Sequence, residues 1–204
     1  LANDYMQDDV DAGLLNILIE MPGYSEGGCP FALDFFRGTR IPADPPVCPA
    51  GTACDYSISA DEFDPECAAV SRIGNAVLVG DHLHAGPSPD VYYLLLVVVG
   101  LDIVLPMHEV VFDGTIVPGT DGPDTVDGII AGYITETEFF GVFEAIPEAE
   151  YPVPGKDEVI DMLHELFTRG IIVNDADLDG DTILESGTIG LAVSGVPAHV
   201  TSVE

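Results

Sequence analysis

The stretch Val91-Tyr-Tyr-Leu-Leu-Leu-Val-Val-Val99 decides the fold class. Aliphatic, β-branched and aromatic side chains fill it without a break, and Gly86-Pro87 and Gly100 punctuate its two ends, which is strand length with turn signals on both sides. A run this continuous is expected to be covered on both faces; left at a sheet edge, it is a template for aggregation or for deliberate self-pairing. Extended to Leu101 it covers 11 residues, against the ~20 that a transmembrane helix needs, so no transmembrane segment is expected.

Outward from this run the strand pattern continues. Ala32 to Phe36, Val77 to Val79, Ile103 to Leu105, Val110 to Val117 and Ile129 to Ile134 read as strands, with Asp113-Gly114 and Asp121-Gly122 as turns. Leu14 to Met21 is a short apolar stretch stopped by Pro22, and the chain returns to strand after Ser186. Two segments break the pattern. Thr135-Glu-Thr-Glu138 precedes Phe139, Phe140, Val142, Phe143 and Ile146, an acidic first turn followed by a helical stripe that ends at Pro147. Lys156 to Arg169 spaces Val159, Ile160, Leu163, Leu166 and Phe167 three and four apart, with Gly170 as the stop. The expected architecture is mainly β: an antiparallel β-sandwich or curved sheet carrying two amphipathic helices at about 135–147 and 156–169, their apolar stripes facing the core. The 204 residues form a single domain, 1–204, with a Cys/Pro/Gly-rich, loop-rich layer at about 22–68.

Composition narrows the function. Asp and Glu number 36 against 5 Lys plus Arg, a formal net charge of −31, yet the mean hydropathy is +0.31 and 47% of residues are hydrophobic. Disordered acidic chains pair high charge with low hydrophobicity, so this is an apolar interior under an anionic skin. Nucleic acid is excluded as a partner, because binding it takes Lys and Arg to displace phosphate counterions. An anionic membrane surface is excluded for the same reason. The skin invites cations, and self-repulsion of this size is best offset by salt or bound metal, which suits an extracellular setting. Cys29, Cys48, Cys54 and Cys67 are even in number and lack a C-x2-C knuckle, so two disulfides are expected in preference to a zinc site. The opening Leu-Ala-Asn-Asp has neither a basic nor an apolar signal region, which fits a mature, processed, secreted chain with any lipid tether lying outside it.

The most specific motif is Asn174-Asp-Ala-Asp-Leu-Asp-Gly-Asp181. Asp175, Asp177 and Asp179 alternate ahead of Gly180, Asp181 follows, and Glu185 is the next carboxylate; hard oxygens at this spacing suit Ca2+, which takes six to eight of them. Through its glycine the pattern is that of an EF-hand-type loop. At the twelfth position, where a bidentate acid is expected, stands Ser186, with Glu185 one residue early and a strand-like segment beyond. The expectation is a shortened loop between helix and strand, its calcium structural. A second acidic turn, Asp121 to Gly128, is read as ordinary turn chemistry, and Asp4, Asp8, Asp9 and Asp11 as a solvated face.

Catalytic signals are weak. Gly23-Tyr-Ser25-Glu-Gly27 matches G-x-S-x-G, but Pro22 precedes it, Gly28-Cys29-Pro30 follows, and no parallel βαβ series surrounds it. His82 and His84 share a face if their segment is a strand, and His108 is the candidate third ligand for Zn2+ or Cu2+; strand-edge histidines are the plainer account. His108-Glu109 and His164-Glu165 lack the second histidine of H-E-x-x-H. No enzyme is expected.

Residues 154–167 (PGKDEVIDMLHELF), 174–193 (NDADLDGDTILESGTIGLAV) and 195–203 (GVPAHVTSV) together resemble the acidic cell-surface proteins and lipoproteins abundant in myxobacteria and related deltaproteobacteria. Residues 53–67 (ACDYSISADEFDPEC) and 128–140 (GIIAGYITETEFF) share the likeness. That group shows an amphipathic helix, a D-x-D-x-D-G loop and a closing strand pair around a V-P-A-type step. The resemblance implies export, surface display and calcium, with Asp175, Asp177, Asp179 and Asp181 as ligands; no activity is established for the group.

The expected function is therefore a non-catalytic extracellular calcium-binding surface or matrix protein. Its partners would be copies of itself, as a homo-oligomer or assembly subunit paired through 91–99, or other surface proteins. The alternative is a binding module for a small apolar ligand or glycan, with Phe35, Phe36, Phe139, Phe140 and Phe143 available to line a pocket.

Overall fold

The computed structural model describes residues 16–24, 29–41, 53–98, 101–119, 123–151, 155–169, 173–178 and 180–204. Eleven strands follow in chain order: β1 (Ile17–Glu20), β2 (Phe31–Arg40), β3 (Cys54–Ile58), β4 (Ser71–Val79), β5 (His82–Ala85), β6 (Tyr92–Val98), β7 (Leu101–Pro118), β8 (Pro123–Thr135), β9 (Asn174–Ala176), β10 (Ser186–Gly195) and β11 (Ala198–Val203). Two helices, α1 (Glu136–Ala145) and α2 (Lys156–Thr168), lie between β8 and β9. All strands join one sheet in the order β11-β3-β2-β4-β5-β7-β8-β10-β9, with β1 beside β2 and β6 beside β7. The mainly-β class with two helices is as expected. Every pairing is antiparallel except β11 with β3, which is parallel and makes the sheet mixed.

The sheet curves strongly. Only Val196-Pro197 links β10 to β11, although the two strands stand near opposite ends of the order. Three peptide steps reach roughly 10 Å, so the ends of the sheet are drawn side by side. The "closing strand pair" is thus a corner at which the chain leaves one end of the sheet and joins the other.

Strand β7 shows how the sequence achieves this. Its inward residues are Ile103, Leu105 and Met107, then Val110, Phe112 and Ile116, all at most 3% exposed. The parity changes from odd to even between 107 and 110. A strand alternates faces with period two, so an unbroken strand would send one of these sets to solvent. Glu109, at φ +49°, lies within a register break between His108 and Val111 against β8 and restores the match. Before the bulge β7 pairs with β6 and, at His108, with β8; after it, β7 pairs with β5 and β8. Sequence segments 103–105 and 110–117 are therefore halves of one bent strand.

Asp113-Gly114 is not a turn but the middle of β7. A Cβ on Gly114 would lie 2.4 Å from the Asp127 carbonyl oxygen and 2.7 Å from Gly128 Cα, so the glycine serves close backbone approach across the β7–β8 pair. The expectation that 91–99 is covered on both faces also fails. Tyr92 and Leu94 are buried, whereas Tyr93 between them is 47% exposed, and among the described residues β6 pairs with β7 alone. Among the described residues it is therefore covered on one face at 92–94 and has no strand at its second edge. The 22–68 region, read as loop-rich, contributes β2 and β3; Leu33 and Phe35 of β2 are in the main core.

Helix α1 seals that core with Phe139, Phe140 and Phe143. Thr135 is its N-cap in a full capping box: the Glu138 amide donates to Thr135 Oγ1 at 3.1 Å, and the Thr135 amide donates to Glu138 Oε2 at 3.2 Å. Its C-terminal carbonyls at Glu144 and Ile146 accept from Lys156 Nζ at 2.6 and 2.9 Å, a cation at the negative end of the helix dipole. On α2, Val159, Ile160 and Leu163 pack partly buried against the core, and His164 stacks on Phe140 at 3.8 Å between ring centroids. The side chains of Leu166 and Phe167 lie outside the described set.

Candidate metal centre

The acidic motif forms the connection between β9 and β10, two strands that pair antiparallel. Its first three residues, Asn174–Ala176, are themselves β9, a short strand where an EF-hand loop would lead on from a helix. Strand pairing changes what Asp175 can do. Its carboxylate accepts from the Thr188 amide at 3.0 Å and from Thr188 Oγ1 at 2.9 and 3.0 Å across the β9–β10 ladder, which takes it out of the first ligand position expected for it. Asp179 lies outside the described residues.

Asp177, Asp181 and Glu185 do converge, each offering a carboxylate oxygen within 4.8 Å of those of the other two. The loop is shaped around them. Asp177 accepts from the Gly180 amide at 2.7 Å and the Thr182 amide at 2.8 Å, and Asp181 accepts from the Ile183 amide at 2.8 Å. Gly180 sits at φ +79° and Thr182 at +76°; the latter is a conformation that a β-branched residue adopts only under constraint. Glu185 Oε1 accepts from the Leu178 amide at 2.7 Å. Among the described residues its other oxygen, Oε2, is buried without a hydrogen-bond donor, and Ser186 Oγ, next in sequence, and Asn174 Oδ1 on β9 are likewise buried without partners. A carboxylate oxygen only accepts, and leaving one dry and unmatched costs free energy. A cation is the natural partner.

Among the described residues no basic side chain competes for that place. Arg72 holds Asp34 at 2.6 and 2.8 Å, Arg37 lies 3.7 Å from Glu62, Arg40 donates to Cys54 Sγ at 3.7 Å, Lys156 caps α1, and Arg169 pairs with Glu165 one turn away. The loop is tied to the core by the Glu136 amide, which donates to the Glu185 carbonyl at 3.2 Å, and by Asn174 Nδ2, which donates to Glu136 Oε2 at 3.3 Å. A cation held here would therefore fix the loop against the start of α1.

The other expected residues scatter. Cys29 and Cys67 are free and exposed, which overturns two disulfides drawn from four cysteines. Cys54 is disulfide-bonded, and Cys48 lies outside the described residues. Ser25 to Gly27 of the G-x-S-x-G match also lie outside them, as do Asp4, Asp8, Asp9, Asp11, Asp121 and Gly122. Asp124 and Asp127, read as part of a second acidic turn, lie instead within strand β8, where Asp127 accepts from Ser194 Oγ at 2.5 Å.

His108 does not join His82 and His84; its Nε2 contacts Glu138 at 2.9 and 3.0 Å. Burial disfavours the charged Glu138, but the Thr135 hydroxyl, His108 and the Thr135 amide together outweigh it and hold its carboxyl below the usual range. Sequence reading missed this junction of helix cap and histidine, and the T-x-x-E capping signature was the available signal.

Comparison with protein-family models, with curated proteins and with solved structures returned no match.

Proposed function

We propose that this chain is a non-catalytic extracellular calcium-binding protein, a surface or matrix component stiffened by Ca2+ at Asp177, Asp181 and Glu185. The observation that carries the reading is the convergence of three carboxylates around Glu185, one of whose oxygens is buried without a donor. Oxygen-only ligands favour a hard cation, and Ca2+ tolerates the irregular geometry of such a loop and completes its shell with backbone oxygens and water. The net charge of −31 supports a setting rich in divalent cations or salt. Among the described residues β6 has no strand at its second edge, which supports self-association by strand addition.

Equilibrium dialysis against 45Ca2+ at fixed ionic strength tests the binding. One tightly held ion per chain, lost in Glu185→Gln, is expected; uptake that is unsaturable, or unchanged in that variant, overturns the assignment. Light scattering after size exclusion, in calcium and in EGTA, tests assembly. Large calcium-dependent species support the subunit reading, and a compact monomer in both buffers contradicts it.

A second reading rests on a cleft of about 240 Å3 beside β6, lined by Phe35, Phe36, Tyr92 and the half-exposed Tyr93, with Arg37 and Glu62 at its polar side. Of the five phenylalanines expected to line a pocket, Phe35 and Phe36 line this cleft, while Phe139, Phe140 and Phe143 pack in the core away from it. The cleft is below the ~300 Å3 at which drug-sized sites begin, so it suits a single sugar ring or a short apolar chain. Native mass spectrometry showing a co-purified ligand that Tyr93→Ala loses would favour this reading over the first.

A further inference from the structure

Strand β5 presents Leu83 and Ala85 inward, both fully buried, and therefore His82 and His84 outward. In β7 the residue opposite His84 is Asp113, and the residue opposite His82 is Thr115. The two imidazoles close on the same carboxylate from different sides: His82 Nε2 lies 3.2 Å from Asp113 Oδ1, and His84 Nδ1 lies 3.0 Å from Asp113 Oδ2. From these contacts we infer a second cation site, of different chemistry from the acidic loop: His82, His84 and Asp113 form a surface site for a borderline-soft divalent transition cation, with Zn2+ as its natural occupant.

Three arguments carry this. The first is donor type. Imidazole nitrogen suits Zn2+ and Cu2+, whereas the loop offers only hard oxygen, so the two sites select different metals. The second is geometry. A tetrahedral ion with bonds of about 2.0–2.1 Å sets its ligand atoms a little over 3 Å apart; each ring nitrogen keeps that separation from its own oxygen of Asp113, and the two rings must close toward each other for one ion to touch all three. The three side chains are 44–56% exposed, so the rings can swing together around a cation without disturbing Leu83 or Ala85 beneath them.

The third argument is the surrounding charge. Asp81 precedes β5, Asp127 lies opposite Thr115 on β8, and each of the five basic residues is engaged elsewhere. The local field favours a cation. Three protein ligands leave at least one position for water or for a donor from another molecule.

Sequence reading paired His82 and His84 correctly but sought the third ligand at His108, which is committed to Glu138. Asp113 was hidden because Asp113-Gly114 reads as a turn. Only the continuity of β7 brings it beside β5.

The test is Zn2+ titration of the full chain in excess Ca2+ at fixed ionic strength, with Co2+ substituted for its visible absorption. One Zn2+ per chain is expected, with a Co2+ spectrum of mixed nitrogen and oxygen ligation. His82→Ala, His84→Ala and Asp113→Asn should each weaken binding by about tenfold or more. Asp181→Asn in the acidic loop and His199→Ala, whose histidine pairs with Asp55, should leave it unchanged. Because all three ligands point outward, the variants keep the wild-type circular dichroism, and loss of binding then reports the site alone. Zn2+ uptake no greater than the calcium-saturated background, or uptake that survives in His82→Ala/His84→Ala, overturns the proposal while leaving the calcium reading untouched.

Discussion

Replacing Arg72 by methionine tests how this chain keeps a charge inside its sheet. Arg72 on β4 stands directly opposite Asp34 on β2, and its guanidinium grips the carboxylate with two hydrogen bonds of 2.6 and 2.8 Å. The partners differ in environment: the Asp34 side chain is 7% exposed, the Arg72 side chain 44%. Were the pair to behave as a surface ion pair, losing it would cost about 0.2–1 kcal/mol. Were it to behave as a buried pair broken on one side, the cost would be about 3–5 kcal/mol.

The buried member decides. Arg72→Met leaves a carboxylate that accepts only, held from water and stripped of both donors, so a loss of about 3 kcal/mol is expected, near the lower bound because solvent reaches the arginine's side of the pair. Asp34→Asn should cost about 1 kcal/mol, since the guanidinium it releases turns to water. The double variant should regain much of the single Arg72→Met loss. Urea unfolding followed by tyrosine fluorescence at neutral pH gives all three values, at low and at high salt. A loss below about 1 kcal/mol for Arg72→Met, or one that fades with salt, would refute the reasoning.

Gly114→Ala should destabilise by about 1–3 kcal/mol or more, because the clashing atoms are backbone, whereas Gly74→Ala, with nothing within 4 Å of its Cβ, should be neutral or gain up to ~0.5 kcal/mol; urea midpoints compare them. Glu138 has a folded pKa below its unfolded value of about 4.3, so its stabilising contribution is complete above that pH and is lost as the pH falls through the lower folded value. Glu138→Gln should therefore flatten the stability–pH curve below about pH 4, measured against wild type by unfolding between pH 3 and 7. Asp175→Asn should leave calcium affinity within about twofold while Asp181→Asn weakens it by about tenfold or more, as calorimetry will read, because only Asp181 belongs to the converging set.

The strands were legible where one side of the alternation is apolar. The helices were clearer still: Thr135 marks the start of α1, and the 3–4 spacing from Val159 gives α2. What stayed hidden depends on partners distant in sequence. The bulge at Glu109 is written in the parity shift from Met107 to Val110, yet two short strands explain the same letters until β8 is seen to run beside both halves. Gly114 carries two meanings, turn or close approach, and only Gly128 on the neighbouring strand chooses between them.

The parallel β11–β3 pair joins residues more than 140 positions apart, with no local signal. In the acidic loop, the spacing of carboxylates around Gly180 foreshadows the convergence of Asp177, Asp181 and Glu185. Asp175 stands outside that group, and its Thr188 partner sits on a strand whose register the motif does not encode.

A thermal melt under calcium tests the central claim most directly. At a free concentration one hundred times the dissociation constant, a single site adds about 2.7 kcal/mol, which for a chain of this size raises Tm by about 5–10 °C. The rise should saturate with Ca2+, exceed that from Na+ at matched ionic strength, and vanish in Glu185→Gln. An equal rise in Glu185→Gln, or one reproduced by Na+, would reduce calcium to a screening ion and contradict the assignment of Asp177, Asp181 and Glu185 as its site.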